Sequence, residues 1–152
     1  EFFFESKSIE LEKTKNILLA KDGVTVTTND GLLINAKESI YDRNFKILDL
    51  IDNVKIIDQI QKIQIESQKI TYEKKLEKIF SDNLTKIEIN NSHLINGKNI
   101  TFLRNDLIIF SDEITTIKDQ HGNTLEVNGF NYSLKNKLLK TEKLRFFRQS
   151  IK

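Results

Sequence analysis

Residues 34–56 read INAKESIYDRNFKILDLIDNVKI, and this stretch decides the fold class. Ile34 and Ala36 alternate with polar residues, which is the period of two that is typical of a half-buried β-strand. Asp42-Arg43-Asn44 has the composition of a turn, and a second apolar run extends from Phe45 to Ile51. The stretch therefore predicts consecutive short strands that are joined by tight turns.

The end of this stretch belongs to a series that recurs along the chain. Each copy has an acid, a usually turn-tolerant residue and an aliphatic residue, and the copies start at Asp22, Asp52, Asp82, Asp112 and Glu142. A second series has an apolar, a polar and a small residue, and its copies start at Phe4, Ile34, Ile65, Ile95 and Val127. Two interlocked series with one period predict about five copies of a unit of about 30 residues.

The residue types of the apolar runs favour strands throughout. Ile, Val, Phe, Tyr and Thr dominate them, which suits a pleated surface. Asp30-Gly31 and Gly122-Asn123 are predicted turns. Helix is the competing prediction for residues 67–80, where Lys, Glu and Gln are dense. Strands are preferred there as well, because this stretch aligns with the copy that contains Tyr41.

Composition limits the possible functions. The 152 residues are continuous in character, which predicts a single domain over residues 1–152, and the ends of the chain suggest a piece of a longer protein. The net charge of +2 is too small to indicate nucleic-acid binding, although residues 131–152 hold seven Lys and Arg, Lys152 included, against Glu142 alone. The absence of cysteine excludes disulfides and thiol nucleophiles, and leaves the redox compartment open. No apolar run approaches the ~20 residues that span a bilayer as a helix.

No pattern of catalytic or metal-binding residues is visible. His93 and His121 are the only histidines and stand far apart, whereas zinc sites usually cluster three or four ligands. Nucleophile elbows and phosphate-binding glycine loops are missing. The recurring acids are interpreted as turn residues that accept hydrogen bonds from local backbone amides, rather than as calcium ligands. The sequence predicts a protein that is not an enzyme and that uses no cofactor or metal.

The repeat resembles a known family. The order apolar-x-small, Tyr-Asp, an aliphatic run and then Asn-Val-x-Ile is similar to the OstA-like repeats of lipopolysaccharide-transport proteins, and the resemblance covers essentially the whole chain. It departs from the family at Asp52, where a Gly usually precedes Asn-Val. The resemblance implies an all-β, elongated, twisted and open β-jellyroll that binds the acyl chains of lipid A in an apolar groove.

The resemblance also implies partners and a location. Such domains lie in the periplasm of Gram-negative bacteria, bind lipopolysaccharide and join one another through the edge strands of their sheets. They also occur as the N-terminal domain of the outer-membrane lipopolysaccharide assembly protein, ahead of an outer-membrane β-barrel, and the opening residues 2–6 favour this case. The residues expected in edge-strand association are Phe2, Phe3, Phe4, Leu144 and Phe146.

Apolar residues at matching positions of the copies are expected to face one interior, because a slip of one residue would turn them to solvent. Periodicity does not separate a lipid groove from an ordinary core. The alternative is therefore a structural or adhesive β-solenoid with a dry core, whose interior would be close-packed. The expected interior residues are Val24, Val26, Ile34, Ala36, Tyr41, Leu50, Val54, Ile56, Ile65, Ile70, Tyr72, Phe80, Leu84, Ile87, Ile95, Ile100, Phe102, Phe110, Ile114, Val127, Tyr132 and Leu134.

Overall fold

The computed structural model describes residues 1–149, so Lys152 of the basic stretch lies outside the described residues. This part of the chain is all-β, as predicted, and its fourteen strands belong to one antiparallel sheet. The strands are β1 (Phe2–Glu12), β2 (Ile17–Thr28), β3 (Leu32–Ala36), β4 (Glu38–Asp42), β5 (Ile47–Asp58), β6 (Ile63–Glu73), β7 (Lys78–Ser81), β8 (Thr85–Ile89), β9 (His93–Gly97), β10 (Ile100–Leu103), β11 (Ile108–Asp119), β12 (Thr124–Ser133), β13 (Leu138–Thr141) and β14 (Leu144–Arg148).

The strands form a meander of long rows. β3 and β4 both pair with β2 on one side and with β5 on the other, each along one half of those longer strands. We therefore treat β3 and β4 as two halves of one interrupted row of the sheet. The pairs β7 and β8, β9 and β10, and β13 and β14 are interrupted in the same way. Ten long rows therefore follow one another through hairpins, and β1 and the β13–β14 row lie at the two edges of the sheet.

Each row bends near its middle. The pairing shifts register between Ser6 and Ser8, between Ile51 and Val54, and between Ser111 and Ile114, while the other rows break at the equivalent place. Such bulges bend a strand sharply. Because the bends of neighbouring rows lie side by side, they form a continuous line, which we call the bend line.

The recurring acids lie on the bend line, which corrects their interpretation as turn residues. Asp22 and Asp52 have left-handed backbones, with φ of 62° and 63°, inside continuous strands. The acids that cap turns belong to a different set. Asp42, Asp58 and Asp119 each begin a hairpin loop and accept hydrogen bonds from two backbone amides of that loop.

The bend line divides the rows into two layers. The upper layer contains the half-rows that end at the loops 13–16, 43–46, 74–77, 104–107 and 134–137, which we call the upper loops. The lower layer contains the half-rows that end at the lower loops 29–31, 59–62, 90–92 and 120–123. The two layers face each other across one apolar core, so the molecule is a folded sheet of the jellyroll type.

The local geometry explains the period of about 30 residues. One period consists of two long rows with one upper and one lower loop. Each upper loop has four residues, and the last of them adopts a left-handed backbone with φ between 49° and 56°. These residues are Asn16, Lys46, Glu77, Leu107 and Lys137.

The ambiguous stretch 67–80 is built from strands, as preferred. It contains the end of β6 and the start of β7, and the intervening upper loop holds one turn of 3-10 helix, Lys74–Leu76. The dense Lys and Glu residues therefore belong to a loop and to solvent-facing strand positions, where charge carries little penalty.

Candidate functional site: the apolar interior

The interior between the layers is a single apolar cluster, and most residues predicted for it are there. Tyr41 and Leu134 are half-buried and pack against the cluster. The predicted residues that are buried in it are Val24, Val26, Ile34, Ala36, Leu50, Val54, Ile56, Ile65, Ile70, Tyr72, Ile87, Ile95, Ile100, Phe102, Val127 and Tyr132.

Four predicted positions are wrong. Leu84 and Ile114 are 65% and 50% exposed, because Thr85 and Thr115 take the inward position after the bend in these copies. Phe110 is exposed and Phe80 only half-buried. Both aromatic residues line an open cleft on the outer face. The inward positions next to them belong to Ile79 and Ile109, since neighbouring residues on a strand face opposite sides.

Among residues 1–149, nine core residues were missed by the sequence prediction. Simple alternation would have found some of them, because Leu32, Leu48, Ile63 and Ile89 each lie two positions from a residue that was predicted. The complete set is Ala20, Leu32, Leu48, Ile63, Ile79, Ile89, Ile109, Ile117 and Phe130.

The interior is open at both ends of the stack. Ile9 and Leu11 pair with Ala20 and Leu18 and so face inward. They are nevertheless 46% and 43% exposed, because no row formed by residues 1–149 covers them. At the other end Leu144 and Phe147 pair with inward-facing residues of β12 and are 53% and 51% exposed. An apolar cross-section is therefore in contact with solvent at each end.

The middle of the interior is filled by side chains. A cavity beside the bend line, lined by Ile65, Ile79, Ile87 and Phe102 among others, has a volume of about 10 Å³. That is roughly the smallest space that holds one water molecule. An acyl chain can therefore occupy this region only if the two layers move apart or side chains rearrange.

Opposite the bend line, the tips of the two layers meet along a line that we call the seam. Side-chain contacts join them there, whereas the bend line joins them through continuous backbone. The seam residues of the lower layer are Phe2, Phe4, Asp30, Asp58 and His93, and those of the upper layer are Tyr41, Tyr72, Lys74, Arg104 and Tyr132.

Aromatic rings close the seam near the first row. The ring of Phe2 lies 5.1 Å from that of Tyr41 and 5.4 Å from that of Tyr72, both edge to face. Phe4 packs on Tyr41 at 5.6 Å. Burial raises the pKa of both tyrosines, so their hydroxyls stay neutral.

Ion pairs close the middle of the seam. Arg104 Nη1 donates to Asp30 Oδ2 at 2.8 Å and to Glu77 Oε1 at 3.0 Å, and Arg104 Nε donates to Asp58 Oδ2 at 3.4 Å. Lys74 Nζ lies 3.6 Å from the same oxygen of Asp30. We call this group of five residues, Asp30, Asp58, Lys74, Glu77 and Arg104, the clasp. It joins the upper loops 74–77 and 104–107 to the lower loop 29–31 and to the strand end that precedes the lower loop 59–62.

The electrostatics of the clasp favour the charged forms of its members. Burial opposes ionisation of Asp30, but hydrogen bonds from Thr28 and Arg104 outweigh it and hold the pKa of Asp30 below its usual range. Burial likewise acts to lower the pKa of the Arg104 guanidinium. The hydrogen bond to Asp30 outweighs this effect, so the pKa of Arg104 is raised. The side chains of Arg104, Asp58 and Glu77 are 10%, 3% and 14% exposed and are largely desolvated, whereas that of Asp30 is 45% exposed and remains in contact with water.

A histidine closes the seam near the last rows. The ring of His93 lies 5.3 Å from that of Tyr132, edge to face. Burial lowers the pKa of His93, although the nearby Asp119 opposes this effect. His121 lies in the lower loop 120–123, where its backbone N–H donates to Asp119, the residue that pairs with His93 across β9 and β11.

Other kinds of site find no support in residues 1–149. No group of three or more His, Asp or Glu side chains in this range is arranged to hold a metal ion. Within the same range, no helix has the length and apolar character that crossing a membrane requires.

Comparison with known proteins finds similarity among solved structures. No family model matches the chain, and no curated protein matches it either. The fold is similar to the crystal structure of LptH, the LptA-homologous periplasmic component of the lipopolysaccharide transport device of Pseudomonas aeruginosa. The two chains are 12% identical, the match covers 100% of this chain and 95% of that one, and the TM-score is 0.37.

Proposed function

We propose that this chain is a non-enzymatic, OstA-like periplasmic domain that binds lipopolysaccharide and shields its acyl chains during transport to the outer membrane. The observation that carries this proposal is the apolar interior that is exposed at both ends of the stack, at Ile9 and Leu11 and at Leu144 and Phe147. A domain with a purely structural core would lose stability by leaving two such apolar cross-sections in water.

The physical basis of binding is passive transfer. Each acyl methylene that leaves water for the interior contributes roughly 0.8 kcal/mol. Sugars and phosphates would stay outside, since burying them without partners is costly. Because the middle of the interior is filled, part of this gain is spent on separating the layers. Such a domain stores and passes lipid, and energy for directed movement comes from another component.

The open ends also suit a chain of similar domains. Within residues 1–149, β1 and the β13–β14 row have unpaired outer sides, and free strand edges pair readily with other strands. Pairing two copies end to end would join their interiors into one apolar passage. The proposed partners are therefore lipopolysaccharide and other OstA-like domains of a periplasmic bridge.

The finer proposal is that this chain is the N-terminal domain of the outer-membrane lipopolysaccharide assembly protein. It is supported by the resemblance of the opening residues, which form the free edge strand β1. The test is the sequence that follows Lys152 in the complete gene. A long series of amphipathic strands there would support the proposal, and a stop codon would contradict it.

A structural domain with a dry core is the second candidate. The small cavity of about 10 Å³ beside the bend line favours it. Native mass spectrometry with lipopolysaccharide distinguishes the two candidates, with deacylated lipopolysaccharide as the matched control. Transport predicts much tighter binding of the acylated form, because only that form can place acyl chains in the interior. Absence of any complex, or equal binding of both forms, would contradict the proposed function.

A further inference from the structure

The charge of the chain is concentrated in one row of loops. The five upper loops hold nine Lys and Arg against two acids, whereas the whole chain has a net charge of only +2. The lower loops hold one Lys and one acid. The basic residues of the upper loops are Lys13, Lys15, Arg43, Lys46, Lys74, Lys75, Arg104, Lys135 and Lys137.

Most of these cations have no acidic partner. Lys74 and Arg104 belong to the clasp, and Lys15 lies 3.9 Å from Glu12. The ion pairs within residues 1–149 include none from the other six, which are all exposed. These six are Lys13, Arg43, Lys46, Lys75, Lys135 and Lys137.

The spacing of the upper loops is regular and is set by the sheet. Upper loops recur every second row, and rows lie about 4.8 Å apart, so successive loops are about 10 Å apart along the stack. Side-chain contacts across the seam are made within two positions of four of these loops, 43–46, 74–77, 104–107 and 134–137. The loop 13–16 is the next one along the same side of the stack. Cations are therefore arrayed along the one long side on which the interior can open without breaking the sheet.

We propose that the upper loops form a phosphate-binding rim that holds the anionic headgroup of an amphiphile. The acyl chains of this amphiphile enter the interior through the seam. This inference rests on the proposed function. Lys and Arg bind phosphate through charge-assisted hydrogen bonds. A headgroup held there needs no burial, while its chains lie directly beside the apolar core. The clasp cations are neutralised by Asp30, Asp58 and Glu77, so the free cations of the neighbouring loops carry the binding.

The test is a charge reversal with a control of equal charge. The rim variant changes Lys13, Lys15, Arg43 and Lys46 to Glu. The control changes Lys21, Lys37, Lys69 and Lys98 to Glu, four exposed lysines on or beside the bend line, on the opposite long side of the molecule. Circular dichroism and thermal melting establish that both variants keep the fold.

Binding is measured with lipid A that carries its two phosphates, and with the same lipid after their removal. The proposal predicts that the rim variant binds the phosphorylated lipid at least about tenfold more weakly than the control variant, that this difference shrinks in high salt, and that it vanishes for the dephosphorylated lipid. Competition by inorganic phosphate alone, at concentrations near those of the lipid, would assign the rim to free phosphate and overturn the proposal.

The remaining outcomes are also decisive. If the native chain binds both lipids and the rim variant matches the control, the rim proposal fails and the proposed function stands. If the native chain binds neither lipid, both fail. Tighter binding of a single-stranded oligonucleotide than of lipid A would also overturn the rim proposal, because the rim would then be a site for another polyanion.

Discussion

Gly97 and Thr115 face each other across the β9–β11 pair, so closely that a Cβ atom on Gly97 would lie 2.8 Å from Thr115 Oγ1 and 3.1 Å from Thr115 Cγ2. Thr115 is buried, and its hydroxyl donates to the carbonyl of Glu113 at the bend. The glycine therefore exists to make room for an inward threonine at the bend line. This is a packing requirement, since the backbone of Gly97 does not need a left-handed conformation.

The first prediction follows from this contact. Gly97→Ala should lower the free energy of unfolding by about 1–3 kcal/mol, because the added methyl overpacks a buried site. Thr115→Ala should recover part of that loss in the double variant, since it removes the two closest atoms. Thr85→Ala is the control. Thr85 also pairs with Gly97, but the three atoms nearest to the new Cβ all belong to Thr115. Urea denaturation of the native chain, the Gly97→Ala variant and the two double variants checks this, and equal rescue by both changes would contradict it.

The interior position of Ile56 gives a second prediction. Ile56 is 1% exposed, whereas the next residue, Ile57, faces outward on the same strand. Ile56→Asp should destabilise the domain by several kcal/mol, because it buries a carboxylate without a partner. Ile57→Asp should cost far less. Thermal denaturation compares the two variants, and similar melting temperatures would mean that water reaches the middle of the interior.

The clasp predicts a dependence on pH. Arg104→Met should cost about 3–5 kcal/mol at neutral pH, because three carboxylates lose their shared cation. The exposed pair of Arg145 with Glu126 is the control, and Arg145→Met should cost under about 1 kcal/mol.

The sign of the pH effect follows from Asp30. Its pKa is lowered in the native fold, so it stabilises the protein above its unfolded pKa, 3.8, and this contribution is lost as pH falls further. The Arg104→Met variant lacks the part of that contribution that comes from Arg104, while the hydrogen bond from Thr28 remains. The difference in stability between the native chain and the variant should therefore shrink below about pH 4. A difference that stays constant down to pH 2.5 would contradict the role of the clasp.

The open ends predict self-association. We expect the native chain to form end-to-end oligomers as its concentration rises to about 1 mM, and Phe147→Lys to weaken them, because Phe147 lies in the exposed cross-section. Phe45→Lys is the matched control, since Phe45 is 64% exposed but lies in an upper loop away from both edges. Sedimentation velocity measures the effect. A native chain that stays monomeric, or an equal effect of both variants, would argue against edge pairing.

Much of the fold could be predicted from the sequence because its signals are local. Alternation around Ile34 and Ala36 specifies a strand, and the period of about 30 residues specifies the stacking. The bends could not be predicted, since Asp52-Asn53 has the composition of a turn but lies inside β5. For the same reason Leu84 and Ile114 were predicted to lie inside. One additional residue at a bend turns the side chains after it to the opposite face of the sheet.

The seam was beyond sequence reasoning for a different reason. Arg104 and Asp30 are 74 residues apart, and no periodic pattern connects them. Their contact depends on how far the layers fold toward each other, which is a property of all the bends together. Phe2 and Tyr72 meet for the same reason. Contacts of this kind need the folded structure.

A photoreactive residue on either face of two neighbouring strands tests directly whether the interior carries acyl chains. Phe102 is 1% exposed and faces the interior, whereas Phe110, on the adjacent strand, faces outward and is 36% exposed. p-Azidophenylalanine at each position adds only a small group to the native side chain. After illumination with lipopolysaccharide, we expect crosslinks from position 102 and few from position 110. Crosslinks from position 110 alone, or from neither position while both variants stay folded, would contradict an interior that carries acyl chains.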